Sequence, residues 1–248
     1  MKKAVIVTGA SSGIGAATAE IFSENGYFIF LLGRNEDRLQ QVALRCRNGS
    51  SLLKADLAKA ESLSKYSQHL STRKDVQIEV LINNAGQFQI EDFASGSLET
   101  WKTQFAVNLF GAVAWTQACL PFLLKSGRGS IVNVSSTLGA KPITGTSAYS
   151  ASKAAMNNWT QAMALELGPK GIRVNAVSAG IVDTPIHGFH ALPDGEKKAV
   201  LDNMGKLQPL GRIGSVQDIA KAIYFLASPD SAWTTGANLH VDGGINLT

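Results

Sequence analysis

Tyr149 and Lys153 stand four residues apart in Ser147-Ala148-Tyr149-Ser150-Ala151-Ser152-Lys153, and a helix brings residues at that spacing onto one face. A phenol and an ammonium would then be neighbours. Free tyrosine has a pKa near 10 and keeps its proton at neutral pH, but an adjacent fixed cation favours the phenolate. Tyr149 is therefore expected to have a lowered pKa and to work as an acid or base near physiological pH. A lone Tyr-x-x-x-Lys also describes an exposed helical turn with a solvated lysine, so the pair takes its meaning from its surroundings.

The chain before this stretch reads as alternating strands and helices. Ala4–Val7 is an apolar run suited to a strand buried on both faces. It passes through Thr8-Gly9-Ala10-Ser11-Ser12-Gly13-Ile14-Gly15 into a helical pattern from Ala16 through Phe22. In a strand, glycine turn and helix, the glycines let the backbone approach a pyrophosphate while unpaired helix amides face it. Tyr27–Leu32 is a second strand ending at Gly33-Arg34-Asn35, followed by a helix over Glu36–Arg47. Ser51-Leu52-Leu53 leads to Ala55-Asp56-Leu57, and a polar helical pattern runs from Ala58 to about Arg73. Gln77–Ile82 is a fourth strand, closing in Asn83-Asn84-Ala85-Gly86.

Ser97 to about Lys125 is one long, mostly apolar helical stretch. Asn108 inside it needs a partner, whether a backbone group, a water or a catalytic side chain. Ser130–Val134 is a strand whose carboxyl end carries Ser135 and Ser136, on the side where open α/β sheets bind ligands. The helix over about Ser147–Leu167 stops at Gly168-Pro169. A sixth strand at Ile172–Val177 precedes Ser178-Ala179-Gly180-Ile181-Val182-Asp183-Thr184-Pro185. The looser stretch to Gly214 has the composition of a mobile cover over an apolar ligand, or equally of a surface excursion with a satellite core. Val216–Ala227 and Ala237–Val241 are a last helix and a last strand.

The 248 residues are 45% apolar and 17% charged, enough for a full core in one domain over 1–248. A net charge of +4, with lysines and arginines scattered, indicates no surface for nucleic acid or anionic membrane. Cys46 and Cys119 lie far apart without metal-like spacing, as packing thiols in a reducing compartment do. The apolar run after Met1-Lys2-Lys3 is too short for a secretory leader, and no stretch reads as the ~18 apolar residues of a membrane span. A cytoplasmic protein acting on a small molecule is expected.

Taken in order, several features resemble the short-chain dehydrogenase/reductase family in its single-domain branch, from Lys3 to the C-terminus. They are the loop Thr8 to Gly15, Asp56, Asn83-Asn84-Ala85-Gly86, Asn108, Ser136, Tyr149 with Lys153, and the ending Thr235-Gly236 to Val241-Asp242-Gly243-Gly244. The resemblance implies an α/β, Rossmann-like fold: a doubly wound, seven-stranded parallel sheet flanked by helices. It implies a catalytic tetrad of Asn108, Ser136, Tyr149 and Lys153. In that tetrad Ser136 holds the carbonyl oxygen, Tyr149 gives the proton, Lys153 lowers the tyrosine pKa and binds the nicotinamide ribose, and Asn108 anchors a water chain. The cofactor contacts implied are Gly9, Ser11, Ser12, Gly13, Ile14, Gly15, Arg34, Asp56, Leu57, Asn83, Ala85, Gly86, Tyr149, Lys153, Gly180, Ile181, Val182 and Thr184. The family has Pro-Gly after the sixth strand where this chain has Ala179-Gly180, which bears on the rigidity of the loop over the nicotinamide.

NAD-binding relatives carry an acid at the end of the second strand, which would repel a 2′-phosphate. Here Gly33 stands there with Arg34 beside it, so NADP(H) is expected to be preferred and NAD(H) possible. The cover at about 184–214 favours an apolar substrate: a 3-oxoacyl thioester, a steroid-like ketone or an aryl ketone. Ala151, Ala154, Ala155, Ala162 and Ala164 on the Tyr149 helix would let another helix approach, and the family's habit implies a homotetramer. A Ser136 hydrolase lacks a Gly-x-Ser-x-Gly elbow and a triad histidine among His69, His187, His190 and His240. His187 and His190 with Asp194 lack a metal motif and read as exposed histidines. The rival that remains is a dinucleotide-binding regulator without turnover, against which the complete tetrad stands.

Overall fold

The computed structural model describes residues 1–59 and 64–248. Its strands are β1 (Lys2–Thr8), β2 (Phe28–Gly33), β3 (Ser50–Lys54), β4 (Val76–Asn83), β5 (Ser130–Ser136), β6 (Arg173–Ala179) and β7 (Asn238–Val241). They form one parallel seven-stranded sheet in the order β3-β2-β1-β4-β5-β6-β7. Each central strand is apolar on both sides because helices cover both faces. Ala4, Ile6, Phe28 and Phe30 enter one core, while Val5, Val7, Ile29 and Leu31 enter the other.

The second core is closed by α1 (Gly13–Glu24), α2 (Glu36–Arg45) and, from the far end of the chain, the Val216–Ala227 helix. The first is closed by α3 (Ser64–Thr72), the α4 (Leu98–Phe105) to α5 (Gly111–Ser126) helix, and α6 (Ser147–Leu167). The order of strands reverses at β1 and β4, so a crevice opens at their carboxyl ends, the place where ligands bind in doubly wound sheets.

Three sequence expectations change. The helix expected from Ala58 is described only over Ser64–Thr72, Leu57 and Ala58 form a turn, and residues 60–63 lie outside the described residues. The stretch 184–214 is more ordered than a loose cover: it holds α7 (Asp194–Lys206), a helix with Asp194 and Glu196 in its first turn, where the helix dipole favours them. α8 (Val216–Ala227) follows it behind a capping box between Ser215 and Asp218.

The helix over Leu98–Ser126 has the length and apolarity to cross a membrane, contrary to the expectation from sequence that no stretch would. Its inner side packs Trp115, Cys119 and Leu123 against the sheet, with buried Thr116 accepting from Asn83, so here it is a core helix. It is not one regular helix. At Ala106–Phe110 it widens into a π-turn, with the Gly111 amide reaching the Ala106 carbonyl. Gly111 is small because a Cβ there would sit 2.6 Å from the Leu57 carbonyl oxygen.

Candidate active site

α1 begins at Gly13 with Ser12 extended before it, no side-chain cap among the described residues and no acid in its first turn, so its leading amides are left for a ligand. Gly9 (φ +66°) and Gly13 (φ +55°) adopt backbone conformations that a side chain resists. A Cβ on Gly15 would lie 2.3 Å from the Gly9 carbonyl oxygen. Thr8 and Asn84 fix this turn to β4. Thr8 Oγ1 accepts from the amides of Asn84 (2.9 Å) and Ala85 (3.0 Å), and Asn84 Nδ2 donates to the Thr8 carbonyl (2.9 Å) and more weakly to that of Gly9 (3.3 Å). A pyrophosphate-bearing dinucleotide fits this cradle, because the bare glycines and uncapped amides leave an electropositive backbone surface open to an anion.

The remaining expected cofactor contacts fall around it unevenly. Ser11 lies against Gly33 at the end of β2, and Thr184 against Gly13. Arg34 is exposed, and the neighbouring acid Glu36 is engaged by Lys54 at 3.1 Å. Asp56 accepts from the Ala58 amide, while Leu57 buries its side chain in the core and leaves only backbone to a ligand. Gly86 is exposed, and a Cβ there would come within 3.5 Å of Asn108 Oδ1 and 3.8 Å of Lys153 Nζ. Gly180, Ile181 and Val182 follow β6, where the Gly214 amide donates to the Ile181 carbonyl and Val182 bridges to Gly214.

The Asn83 amide turns inward to Thr116 and Asn133, each at 2.9 Å, so its side chain serves the core and leaves only backbone to a ligand. Asn84, absent from the expected contacts, does the holding instead. The two adjacent amides were visible in the sequence, but which one faced the loop was not.

Ala179 is the last residue of β6, paired with Ser136 on one side and Val241 on the other. The Gly180 amide donates to the Val241 carbonyl at 3.1 Å, and a Cβ on Gly180 would sit 2.7 Å from Asp242 Cα. The loop is thus pinned between two strands without a proline.

Ser136, Tyr149 and Lys153 converge at the carboxyl end of β5, all buried. Lys153 Nζ donates to the Val134 carbonyl at 2.8 Å and lies 5.8 Å from the Tyr149 ring centre. Asn108, wholly buried in the π-turn, spends both ends of its amide: Oδ1 accepts from the Gln87 amide (2.7 Å), and Nδ2 donates to the Gln87 carbonyl (3.0 Å) and to Ser152 Oγ (3.1 Å). Ser152 in turn donates to the Tyr149 carbonyl at 2.6 Å. Asn108 therefore ties the β4 loop to α6. π-turns recur at functional sites, and here the π-turn carries Asn108.

The charge states run against the simple expectation. Burial pushes the Tyr149 phenol up to about 12, and a hydrogen bond with Ser136 opposes this only in part. Burial pushes Lys153 down to about 8. The expectation of a lowered tyrosine is not met: in this geometry removal from water dominates, and the Lys153 ammonium is turned to a backbone carbonyl. At neutral pH the site holds a protonated phenol beside a lysine whose proton is labile.

Aromatic side chains complete the surroundings, and Phe88 among them carried no signal in the sequence. The Phe88 ring stands edge-on to Tyr149 with centres 4.8 Å apart, and His187 lies 5.6 Å from Phe88 and stacks on Phe189 at 5.2 Å. His187 is half-buried, not exposed, and burial lowers its pKa while Asp183 pulls the other way. The side chain of His190, expected to be exposed, lies outside the described residues. A cleft of about 290 Å³ opens between the β4 loop, α4 and the start of α6, lined in part by Gln89, Phe93, Leu98, Trp101 and Ala148.

A protein-family profile described as Enoyl-(Acyl carrier protein) reductase matches residues 9–246. The chain is 34% identical to the 2,5-dichloro-2,5-cyclohexadiene-1,4-diol dehydrogenase LinX of Sphingobium indicum, over 98% of this chain and 95% of that one. It is 32% identical to the 3-oxoacyl-acyl-carrier-protein reductase FabG of Thermotoga maritima, over 98% and 97%. An NAD-dependent glycerol dehydrogenase of Listeria innocua is 34% identical over 99% and 94%. The ligand-free structure of Thermoplasma acidophilum aldohexose dehydrogenase superposes with a TM-score of 0.90 at 31% identity, covering 100% of this chain and 95% of that one. With a parallel sheet of this order, a glycine cradle at its switch point and a Ser, Tyr and Lys set at the end of β5, the chain belongs to the short-chain dehydrogenase/reductase family and is an NAD(P)-dependent oxidoreductase.

Proposed function

We propose that this enzyme reduces an apolar ketone to a secondary alcohol with NADP(H) in the cytoplasm, and runs the reverse reaction when product accumulates. The observation that carries this reading is the convergence of Ser136, Tyr149 and Lys153 within one buried corner beside the glycine cradle. The bound dinucleotide supplies the electron pair to carbon, and the protein supplies placement and protons. Ser136 donates to the carbonyl oxygen and stabilises the charge that grows there. Tyr149 transfers its O–H proton to that oxygen. A phenol pushed up to about 12 is fully protonated at neutral pH, which is the form a reductase needs. Lys153, pushed down to about 8, is poised to restore that proton and to hold the ribose. Asn108 keeps the β4 loop and α6 in register.

Support for the 2′-phosphate comes from Gly33, which presents no repelling carboxylate, and from Arg34, whose neighbouring acid is engaged elsewhere. The segment 184–214 covers the substrate. A homotetramer is supported by exposed Leu98, Phe110, Ala154 and Ala162 on the α4 to α6 side, and by the open edge of β7 near the fully exposed Trp233. Ala164 is excluded from that contact because it packs in the core. The deciding assay follows absorbance of NADPH and NADH with a panel of ketones. Faster turnover with NADPH on apolar ketones is expected, while tight cofactor binding with no turnover on any of them would make the protein a non-catalytic dinucleotide sensor.

A further inference from the structure

Phe88 and His187 lie about a hundred residues apart in sequence, one in the loop after β4 and one after β6, yet their rings meet beside the reactive phenol. Phe189 backs His187 with nearly parallel planes, 19° apart, and is buried. The set is ordered from inside. Asn108 clamps the backbone of Gln87, the residue before Phe88, through both its amide and its carbonyl, so a member of the catalytic tetrad fixes where the Phe88 ring stands. Phe88 and His187 themselves are only half-buried, which distinguishes them from a core plug and leaves part of each side chain open to a ligand. Burial also disfavours the imidazolium, so the row is uncharged at neutral pH.

We propose that Phe88, His187 and Phe189 form an aromatic wall that selects substrates whose reacting carbon is attached to a flat conjugated ring, over open-chain 3-oxoacyl thioesters. This rests on the oxidoreductase reading above and narrows its substrate class. A flat ring gains offset and edge-to-face contacts with such a wall and loses little rotational freedom on binding. An open chain covers less of each face and must freeze several rotors to do so.

The test compares 1-tetralone, a bicyclic aryl ketone, with acetoacetyl-CoA. The unmutated enzyme should show the higher kcat/KM on 1-tetralone, and in Phe88→Leu and His187→Ala the ratio of the two should fall at least tenfold. Phe88→Tyr and His187→Phe keep a ring and should restore the ratio, which a role in folding alone would not predict. A ratio within threefold of the unmutated value in both ring-deleting variants overturns the wall, as does a higher kcat/KM on acetoacetyl-CoA to begin with. Calorimetric binding of 1-naphthol in the presence of cofactor separates the two readings. Weaker binding in Phe88→Leu, with no turnover of either ketone by any form, would retain the wall and sink the reductase. Equal binding in both forms would sink the wall whatever the turnover.

Discussion

On one side of Tyr149 the polar groups are tied into the sheet and its helices. Asn108 bonds the half-buried Gln87 and buried Ser152, Ser152 bonds the Tyr149 carbonyl, and Lys153 bonds the Val134 carbonyl. On the other side, the segment after β6 is held by ring contacts, a bridge from Val182 to Gly214, and an ion pair of Lys197 with Asp183 at 3.0 Å between partly exposed groups. Buried hydrogen bonds are costly to leave unmade, whereas exposed ion pairs are screened by water and contribute little. The groups around Tyr149 are thus held firmly by the fold, whereas the segment after β6 rests on weaker contacts.

The sharpest way to break this comparison is at the phenol itself. Tyr149→Phe should bind cofactor as before and lose at least about a hundredfold in turnover, the scale of a missing general acid. Turnover within threefold of the unmutated enzyme would remove Tyr149 from the mechanism.

Next is the cost of burying Lys153. Its pKa falls from 10.5 to about 8 on folding, so between those values the unfolded chain binds more protons than the folded one. Stability should therefore rise as pH increases from 8 toward 10.5, by up to about 3 kcal/mol. Tyr149, raised from 10.0 to about 12, binds its proton more firmly when folded and takes stability away above pH 10. Cys46 and Cys119, whose thiols burial pushes up, take stability away above about pH 9, so the rise should be read by urea unfolding from pH 7.5 to 9, and Lys153→Met should flatten it. An equal slope in both proteins would mean that Lys153 is not desolvated.

Asn108→Leu leaves the Gln87 amide and carbonyl without their partner, which should cost about 1–3 kcal/mol in urea unfolding and lower turnover as well. A neutral outcome would show that the clamp is not needed. The cofactor side offers a smaller effect: Gly33→Asp with Arg34→Ala should shift the NADPH to NADH preference by about tenfold or more toward NADH, the worth of one charge-assisted hydrogen bond. No shift would leave Arg34 a solvated surface residue. Smallest of all should be Lys197→Ala, at about 0.2–1 kcal/mol in unfolding. A loss as large as that of Asn108→Leu would erase the contrast between the two sides.

The sheet and the place of the glycine turn could be read from the sequence, because buried parallel strands must be continuous apolar runs and a glycine turn must stand where the backbone meets a phosphate. Tyr149 and Lys153 were legible for the same reason: helical spacing is local. Tertiary structure alone decided what depends on distant segments meeting. It chose Asn84 over Asn83 to hold the glycine loop, since the two amides differ only in which face of β4 receives them. It placed Asn108 in a π-turn with its amide on Gln87, a residue 21 positions away that spacing within the helix could not reveal. It raised the tyrosine pKa that spacing alone would lower, because burial is set by everything packed around the phenol. And it brought Phe88 to His187, two rings whose separation along the chain gave no sign that they would share a wall.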